Sequence, residues 1–311
     1  MVPFLMVMVM SCCLLLTGCK QQPISTMGTE APAESSVTET EPQLKEDLQT
    51  ILVMGLDKYE AKPKEMGYLN DQQSDFLMLV VLDEKAGTSQ VLHLNRDTMT
   101  EIRRLGVGGG DAGRFTGQLA LAHTYGSGGS DSCLNACKAV SKLLGGIHID
   151  HYIALTMDAV ALLNDQVGGV TVEIMDDFTH LDPAMVQGEK VTLHGEQALL
   201  YVRSRGSLED SSNLHRMEQQ RQYLNALYEQ LLRAKKEDEH FLQDSLLKLS
   251  SSFQSDLTVN QLSQLGETML DLELQPFMTI EGEAVKGEEF IEFYPDEASL
   301  NQVIQELFYE K

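Results

Sequence analysis

The chain has 311 residues, of which 42% are hydrophobic, and its formal net charge is −24 at pH 7. The hydrophobic content is ordinary for a globular core. So acidic a chain is a poor candidate for general nucleic-acid binding, because neutralising phosphates takes many Lys and Arg side chains. No nucleic-acid partner is therefore expected, but the acidity does not exclude a local anion site built from a few arginines.

The N-terminal residues, 1–16, are almost wholly apolar, and Thr17, Gly18 and Cys19 follow. A short apolar run that ends in small residues is typical of a signal peptide with its cleavage site. A Cys directly after Leu-Thr-Gly resembles a bacterial lipobox, so we interpret 1–18 as a lipoprotein signal peptide and Cys19 as the lipidated residue. The alternative is a short membrane anchor, although the run is just below the roughly 17–25 residues that usually span a bilayer.

Residues 19–47 are predicted to form a disordered tether, because most of this segment is rich in Ser, Thr, Glu and Pro without apolar periodicity. A lipid anchor followed by a tether suits a domain that works outside the cytoplasm, at the outer face of the cell membrane. The rest of the chain, 48–311, is predicted to be one domain. We divide it into a core, 48–232, and a C-terminal extension, 233–311.

Strands and helices alternate along most of this domain. Short continuous apolar runs predict buried strands, and apolar residues at helical spacing predict helices. The predicted strands are 51–57, 76–82, 91–94, 170–174 and 290–293. The predicted helices are 119–122, 132–144, 153–167, 195–202, 213–233, 241–249, 259–270 and 297–308. The alternation predicts the α/β class, with a central sheet that helices cover on both faces.

Two cysteines, Cys133 and Cys137, lie four residues apart in a predicted helix. A disulfide is possible in an exported protein, but helical geometry strains it. Two small buried apolar side chains are the preferred interpretation. The spacing lacks the His or further Cys residues that a zinc site needs.

Two acidic residues stand at strand edges: Asp57 ends the first predicted strand and Asp75 precedes the second. Carboxylates in such positions can hold Mg²⁺ beside phosphate oxygens, because Mg²⁺ keeps several waters and needs only one or two protein carboxylates. The alternative is turn chemistry, since Asp often ends strands and stabilises turns.

Arginines stand at the ends of predicted elements. Arg96 follows a strand expected to be central, where ligands of open α/β sheets bind; beside Asp97 it is either an anion clamp or half of a structural ion pair. Arg203 and Arg205 lie near a helix C-terminus, where the helix dipole alone favours cations. These two side chains can converge on one ligand only if the helix has ended by Ser204.

Arg216 is predicted in the first turn of a helix, because the N-cap-forming residues 210–213 come just before it. A cation there opposes the helix dipole, and a bound anion would remove the conflict. Gln220 lies four residues further on, on the same helix face. The alternative is an ion pair between Arg216 and Asp210.

Taken in order, the motifs of residues 48–232 resemble the LytR-CpsA-Psr family. They are Val53-Met54-Gly55-Leu56-Asp57, Gln73-Ser74-Asp75, Leu94-Asn95-Arg96-Asp97-Thr98, Ala122-His123-Thr124-Tyr125-Gly126, Ile149-Asp150-His151-Tyr152, Val167-Gly168-Gly169-Val170, Gly195-Glu196-Gln197-Ala198-Leu199, Tyr201-Val202-Arg203-Ser204-Arg205 and the segment 216–222. Each motif is weak alone, but the collinear set is specific.

The resemblance implies a single-domain α/β/α sandwich around a central mixed sheet, with an apolar pocket for a polyprenyl chain. It implies phosphotransfer of a glycopolymer from its polyprenyl-pyrophosphate carrier to peptidoglycan. Asp57 and Asp75 match the positions on the Mg²⁺ side. The positions on the pyrophosphate side are Arg96, Arg203, Arg205, Arg216 and Gln220. Asp75 and Asp97 are the two candidates for taking the proton from the attacking hydroxyl, and the sequence does not choose between them.

Four residues depart from the family pattern: Gln73, Gln118 and Gln219 replace common cations, and Asn95 replaces a Pro. The loss of three cations predicts weaker anion binding or a different acceptor. Two other functions stay open on these grounds. One is a pyrophosphatase that acts on the same lipid-linked glycan, and the other is a non-catalytic envelope protein that binds such precursors or regulates wall assembly.

Overall fold

The computed structural model describes residues 43–58, 72–106, 110–204, 213–288 and 290–310. Cys19, the signal peptide and most of the tether lie outside the described residues. The strands are β1 (Leu48–Lys58), β2 (Gln72–Asp83), β3 (Thr88–Leu94), β4 (Met99–Leu105), β5 (Asp111–Gln118), β6 (His151–Thr156), β7 (Val170–Glu173), β8 (Lys190–Leu193), β9 (Phe253–Ser255), β10 (Glu273–Leu274), β11 (Gly282–Lys286) and β12 (Ile291–Pro295). The helices are α1 (Leu121–Thr124), α2 (Gly129–Leu143), α3 (Asp158–Gln166), α4 (Glu196–Arg203), α5 (Leu214–Glu237), α6 (Phe241–Leu249), α7 (Val259–Asp271) and α8 (Glu297–Phe308).

The main sheet has six strands in the order β10-β3-β2-β1-β6-β9. Strand β1 lies in the middle, antiparallel to β2 and parallel to β6. Strand β2 is antiparallel to β3, and the short strands β9 and β10 close the two edges. The sheet is therefore mixed, as expected.

Helices cover both faces of the sheet because its central strands are apolar on both sides. In β1, Leu52 and Met54 face a core that includes residues of α2 and α8, while Ile51 and Val53 face a second core with residues of α7. This arrangement confirms the α/β/α sandwich. A separate smaller core joins the β7–β8 hairpin to α3, α4 and α5.

The prediction of one helix over 153–167 is wrong. The first part of this segment is β6, which pairs with β1 in parallel, and only Asp158–Gln166 is helical. Tyr152 and Ala154 face one core, whereas Ile153 and Leu155 face the other. A strand that is buried on both faces shows no apolar–polar alternation, so its sequence resembles a buried helix.

The C-terminal extension is part of the same compact unit as the core. It supplies both edge strands of the sheet and α8, so no structural boundary separates residue 232 from 233. At the other end, Leu44 pairs with Tyr309, so paired backbone begins four residues before the predicted boundary at 48. Within the described ranges, no helix is both long enough and apolar enough to cross a membrane.

Candidate active site

A cavity of about 290 Å³ lies between the sheet and helices α3, α5, α6 and α7. Most of its wall is apolar. The lining side chains from the sheet and the segment after it include Val53, Phe76, Met78, Val91, Leu155, Leu274 and Phe277; those from the helices include Val160, Leu163, Tyr223, Leu224, Leu227, Leu231, Leu249 and Met269. Four strongly polar residues, Asp75, Arg203, Arg216 and Gln220, also line it. The cavity thus combines an apolar body with a charged group of side chains, which we call the head end.

A β-bulge places Asp75 at the cavity. In the β1–β2 pair, Gly55 lies opposite Phe76 and Leu56 lies opposite Ser74, so Asp75 is the extra residue. A bulge of this kind redirects a side chain and is common next to active sites. A Cβ atom on Gly55 would lie 3.0 Å from the Cβ of Phe76, which explains why the smallest residue stands there.

Arg96 follows the end of β3, as predicted, and contacts the same carboxylate. Its Nη1 forms a short ion pair with Asp75, and its Nη2 donates to the Gln73 side-chain oxygen at 3.0 Å. The Nε atom of Arg96 lies 3.5 Å from Asp97 Oδ1. Both interpretations of Arg96 therefore keep support, since the side chain is ion-paired and lies beside the head end.

Arg203 is the last residue of α4, and Ser204 is already extended, with φ −67° and ψ 142°. The condition for Arg203 and Arg205 to converge is therefore met at Ser204, although Arg205 lies outside the described residues. Arg203 donates from one nitrogen to both oxygens of Asp57, at 3.2 and 3.1 Å. The pair joins the end of α4 to the end of β1.

The carboxyl groups of Asp57 and Asp75 are close neighbours. Burial raises the pKa of Asp57 above its usual value, and the charge of Asp75 and a hydrogen bond to it act in the same direction, whereas Arg203 and Arg96 lower it. The fold thus holds two carboxyl groups close together, and their mutual repulsion disfavours the state in which both are ionised. Two adjacent carboxylates are the kind of side chains that could hold Mg²⁺, because this ion needs only one or two protein carboxylates.

Helix α5 presents Arg216 and Gln220 to the cavity from its first two turns, as the sequence predicts. Asn213, just before the helix, accepts a hydrogen bond from Arg216 Nε at 2.9 Å and donates one to Asn95 at 3.3 Å. The Gln220 amide donates to the Val202 carbonyl oxygen at 3.0 Å. These contacts join α5 to the loop after β3 and to the end of α4. The alternative partner of Arg216, Asp210, lies outside the described residues.

This arrangement is the one that the resemblance to the LytR-CpsA-Psr family implies, and a comparison with family profiles shows whether the chain belongs to that family. Residues 18–308 match the profile of the LytR_cpsA_psr family. The chain belongs to this family. The motif order predicted the membership from single residues, and the comparison confirms it.

Curated members of the family are similar to this chain at modest identity. A polyisoprenyl-teichoic acid–peptidoglycan teichoic acid transferase, TagU of Halalkalibacterium halodurans, is 30% identical over 185 residues, which are 60% of this chain and 54% of that protein. The transferase TagV of Bacillus subtilis is 30% identical over 190 residues, 58% of this chain and 43% of TagV. The matched region thus covers about half the length of these relatives.

Solved structures share the fold of this LytR_cpsA_psr chain. The crystal structure of B. subtilis TagV has a TM-score of 0.64 at 24% identity, over 85% of this chain and 96% of that one. A structure described as TagT bound to LI-WTA has a TM-score of 0.63 at 22% identity, over 84% of this chain and 90% of that one. At such identities the likeness establishes the fold.

Three of the four departures from the LytR_cpsA_psr pattern have a structural role next to Arg96. The Gln73 side-chain oxygen accepts a hydrogen bond from Arg96. The Gln118 amide donates to Asp97 at 2.9 Å and to the Ile291 carbonyl oxygen at 2.8 Å. The side-chain oxygen of Asn95 accepts from the backbone N–H of Asp97 at 3.0 Å. Asn95 thereby stabilises a local turn through its side chain, whereas a Pro would stabilise a turn by fixing its own φ angle.

The two candidate proton acceptors lie in different places. Asp75 lines the cavity, whereas Asp97 is 6% exposed and is not among the described residues of the cavity wall. Gln118 ties Asp97 to β12, as does a 2.9 Å hydrogen bond from the Phe293 backbone N–H to the Asp97 carbonyl oxygen. Of the two, Asp75 is therefore the one that faces the cavity.

Two buried polar side chains lie on or near α5: Gln219, which is the fourth departure from the family pattern, and His93, which no sequence motif singled out. Gln219 is 0% exposed, and neither atom of its amide has a hydrogen-bond partner within the described part of the chain. His93 is 1% exposed, packs against Phe76 with the rings tilted by 50° and 5.0 Å between their centroids, and has no described partner for Nδ1. Burial and the charges of Arg221 and Arg216 lower the pKa of His93 to about 3. The signal available in the sequence was a His in a buried strand, three residues before Arg96.

Cys133 and Cys137 are both buried and both free, which confirms the preferred interpretation over a disulfide. Both residues belong to α2, and their side chains pack in the core between this helix and the sheet. Burial raises the pKa of each to about 12. They are structural apolar residues in this fold.

Proposed function

We propose that this protein transfers a glycopolymer from a polyprenyl-pyrophosphate carrier to peptidoglycan. The observation that carries the proposal is the single cavity wall on which an apolar body meets Asp75, Arg203, Arg216 and Gln220. An isoprenoid pyrophosphate has the same division into a long apolar part and a charged head. The names of the curated relatives, which are polyisoprenyl-teichoic acid–peptidoglycan transferases, support the same substrate class.

The isoprenoid would occupy the apolar body of the cavity, with its first units packed against Phe76, Tyr223 and Leu227. Burying this apolar surface supplies affinity and keeps water away from the pyrophosphate. Around the head, Arg203 and Arg216 face the cavity, and Arg96 lies behind Asp75. Charge-assisted hydrogen bonds from guanidinium groups to phosphate oxygens are among the strongest in proteins.

Asp57 and Asp75 are the residues that would hold Mg²⁺. When bound there, the ion would neutralise phosphate charge that develops as the phosphoryl group is transferred. The same two carboxylates pair with Arg203 and Arg96, so a cation held by them would leave these arginines for the pyrophosphate.

In the proposed reaction, an acceptor hydroxyl oxygen bonds to the phosphorus that carries the glycan. The bond from that phosphorus to the bridging oxygen breaks, and polyprenyl phosphate leaves. Asp75 takes the hydroxyl proton, since it lies on the cavity wall. The arginines stabilise the charge on the transferred group and on the leaving phosphate, and fixed charges of this kind supply much of the catalysis in phosphoryl transfer.

We further propose that Cys19 is lipidated and that the following tether lets the domain work at the outer face of the cell membrane. This location suits a substrate whose isoprenoid belongs to the bilayer and an acceptor that lies in the adjacent wall. Cys19→Ala, expressed in a Gram-positive host, should move the protein into the medium. Retention of the variant in the membrane fraction would instead support a membrane anchor.

The decisive assay incubates a radiolabelled polyprenyl-pyrophosphate glycan with the protein and Mg²⁺, with and without wall fragments. We expect label on the wall, and we expect Asp75→Asn to abolish it, while Asp131→Asn, in an ion pair with Arg103 away from the cavity, retains it. Equal release of polyprenyl phosphate with and without wall would indicate a pyrophosphatase. Tight binding without turnover would indicate a precursor-binding protein.

A further inference from the structure

The β11–β12 hairpin carries an exposed surface of defined composition. Glu283 pairs with Tyr294 and Val285 with Glu292, so these four side chains share one face of the hairpin. Phe293, between them in sequence, points to the opposite face and is 2% exposed. Tyr294 is 46% exposed and Val285 39%, and the Tyr294 hydroxyl donates to Glu292 at 2.6 Å. We call these four residues the hairpin face.

The hairpin is fastened to the loop that carries Arg96. Phe293 donates its backbone N–H to the Asp97 carbonyl oxygen at 2.9 Å and forms a β-bridge with Thr98. The Gln118 amide, which holds the Asp97 carboxylate, also donates to the Ile291 carbonyl oxygen at 2.8 Å. One residue, Asp97, therefore separates the hairpin from Arg96, which lies beside the head end.

We propose that the hairpin face binds the acceptor glycan of the proposed transfer reaction. The inference rests on the proposed function and adds a subsite to it. An aromatic ring with a negative face attracts the C–H groups of a sugar ring, and Tyr294 offers such a ring to solvent. Glu283 and Glu292 flank it, and carboxylates accept hydrogen bonds from sugar hydroxyls. A ring between two carboxylates suits a hydroxyl-rich chain.

Charge distinguishes the acceptor from the other partners that could lie here. The hairpin face bears two carboxylates and no cation. Glu281, Lys286 and Glu288 lie beside it in the chain, and Lys286, which pairs with Ile291, points to the opposite face of the hairpin, so the surroundings stay net negative. A phosphate-rich polymer or an anionic membrane surface would be repelled by this charge. A glycan backbone offers neutral hydroxyl and C–H groups for contact with the protein, so the acceptor glycan is the partner that fits the hairpin face.

The test uses soluble wall glycan fragments released by a muramidase and the full-length protein. We expect Tyr294→Ala to raise the Kd for these fragments, and the acceptor KM, about five- to tenfold, the size of an aromatic stacking contribution. Tyr294→Phe should keep most of the affinity, and Glu292→Gln should lose part of it. Leu134→Ala, at an exposed apolar residue on α2, is the matched surface control and should change nothing.

Farnesyl pyrophosphate binding, measured on the same variants, separates this inference from the proposed function. Unchanged farnesyl pyrophosphate affinity together with weaker fragment binding supports the hairpin face as the acceptor subsite. Wild-type fragment affinity in both Tyr294→Ala and Glu292→Gln would overturn it and leave the transferase proposal intact. Failure of the wild-type protein to bind farnesyl pyrophosphate would instead count against the proposed function.

Discussion

Arg203 holds Asp57 through a single guanidinium nitrogen, which lies 3.2 and 3.1 Å from the two carboxylate oxygens. Asp57 in turn interacts with Asp75, and Asp75 pairs with Arg96. Two carboxylates and two guanidinium groups, at the head end and directly beside it, therefore neutralise one another. A cation or an anion that enters this cluster must take a partner from it, so the binding of Mg²⁺ and of pyrophosphate should be coupled.

The first prediction concerns Asp57→Asn. In Mg²⁺-free buffer this variant should bind farnesyl pyrophosphate about two- to fivefold more tightly than wild type, because Arg203 no longer has a competing carboxylate and a partly exposed pair contributes about 0.5–1 kcal/mol. The gain from adding Mg²⁺ should shrink at the same time. Isothermal titration calorimetry with and without Mg²⁺ measures both quantities.

Asp131→Asn is the control for Asp57→Asn, because it neutralises the carboxylate of another Asp–Arg pair, that with Arg103. Its affinity for farnesyl pyrophosphate should equal that of wild type. If both substitutions strengthen binding equally, the effect comes from overall charge. The proposal that Arg203 exchanges Asp57 for the pyrophosphate would then be wrong.

The second prediction concerns Arg216, which is 7% exposed and lines the cavity. Losing a charge-assisted hydrogen bond to a buried phosphate costs about 1.5–3 kcal/mol, so Arg216→Gln should weaken farnesyl pyrophosphate binding roughly 10- to 150-fold. Arg114→Gln, at a side chain that is 55% exposed and pairs with Glu101, should have no effect. Unaltered affinity in Arg216→Gln would remove Arg216 from the pyrophosphate site.

Much of the head end could be predicted from the sequence because its signals are local. Arg216 at a helix start and Gln220 four residues later share a face by helical geometry alone. Arg96 after a central strand follows from the general position of ligands in α/β sheets. These inferences need only the type of each element and its ends.

What the sequence did not reveal depends on contacts across the fold. The bulge that brings Asp75 beside Asp57 is a register shift between two strands, and no pattern within either strand shows it. The link from Gln118 to the Ile291 carbonyl oxygen spans 173 positions. The β6 strand was missed because it is buried on both faces, and an apolar run of that kind fits both a strand and a helix.

The third prediction concerns the two cysteines of α2. At pH 8, a thiol with a pKa of about 12 is almost entirely protonated, and the thiolate is the form that reacts with iodoacetamide. Cys133 and Cys137 should therefore stay unlabelled in the native protein and react fully in urea. Mass spectrometry of the peptides that contain them measures the labelling. Rapid native labelling, or a disulfide between the two, would contradict the structure.

The last prediction uses His93, which is neutral in the folded protein and whose pKa is about 3 there against 6.5 as the ordinary value. Below pH 6.5 the unfolded chain binds a proton at this residue that the folded chain does not bind. The free energy of unfolding should therefore fall by up to about 1.4 kcal/mol for each pH unit between about 6 and 4, through this residue alone. Burial disfavours protonation of the imidazole, and the charges of Arg221 and Arg216 oppose it further; Phe76 packs against the ring at a tilt.

Urea unfolding of wild type and His93→Gln at pH 7, 6, 5 and 4 isolates this contribution, because acidic groups common to both proteins cancel in the difference. The Gln side chain does not titrate, so the variant should lose less stability than wild type over the acid range even if it is less stable at pH 7. His148→Gln, at a side chain that is 85% exposed, serves as the control and should follow wild type. Parallel pH profiles for wild type and His93→Gln would mean that the imidazole accepts a proton in the folded state, and that the charges of Arg216 and Arg221 do not reach it.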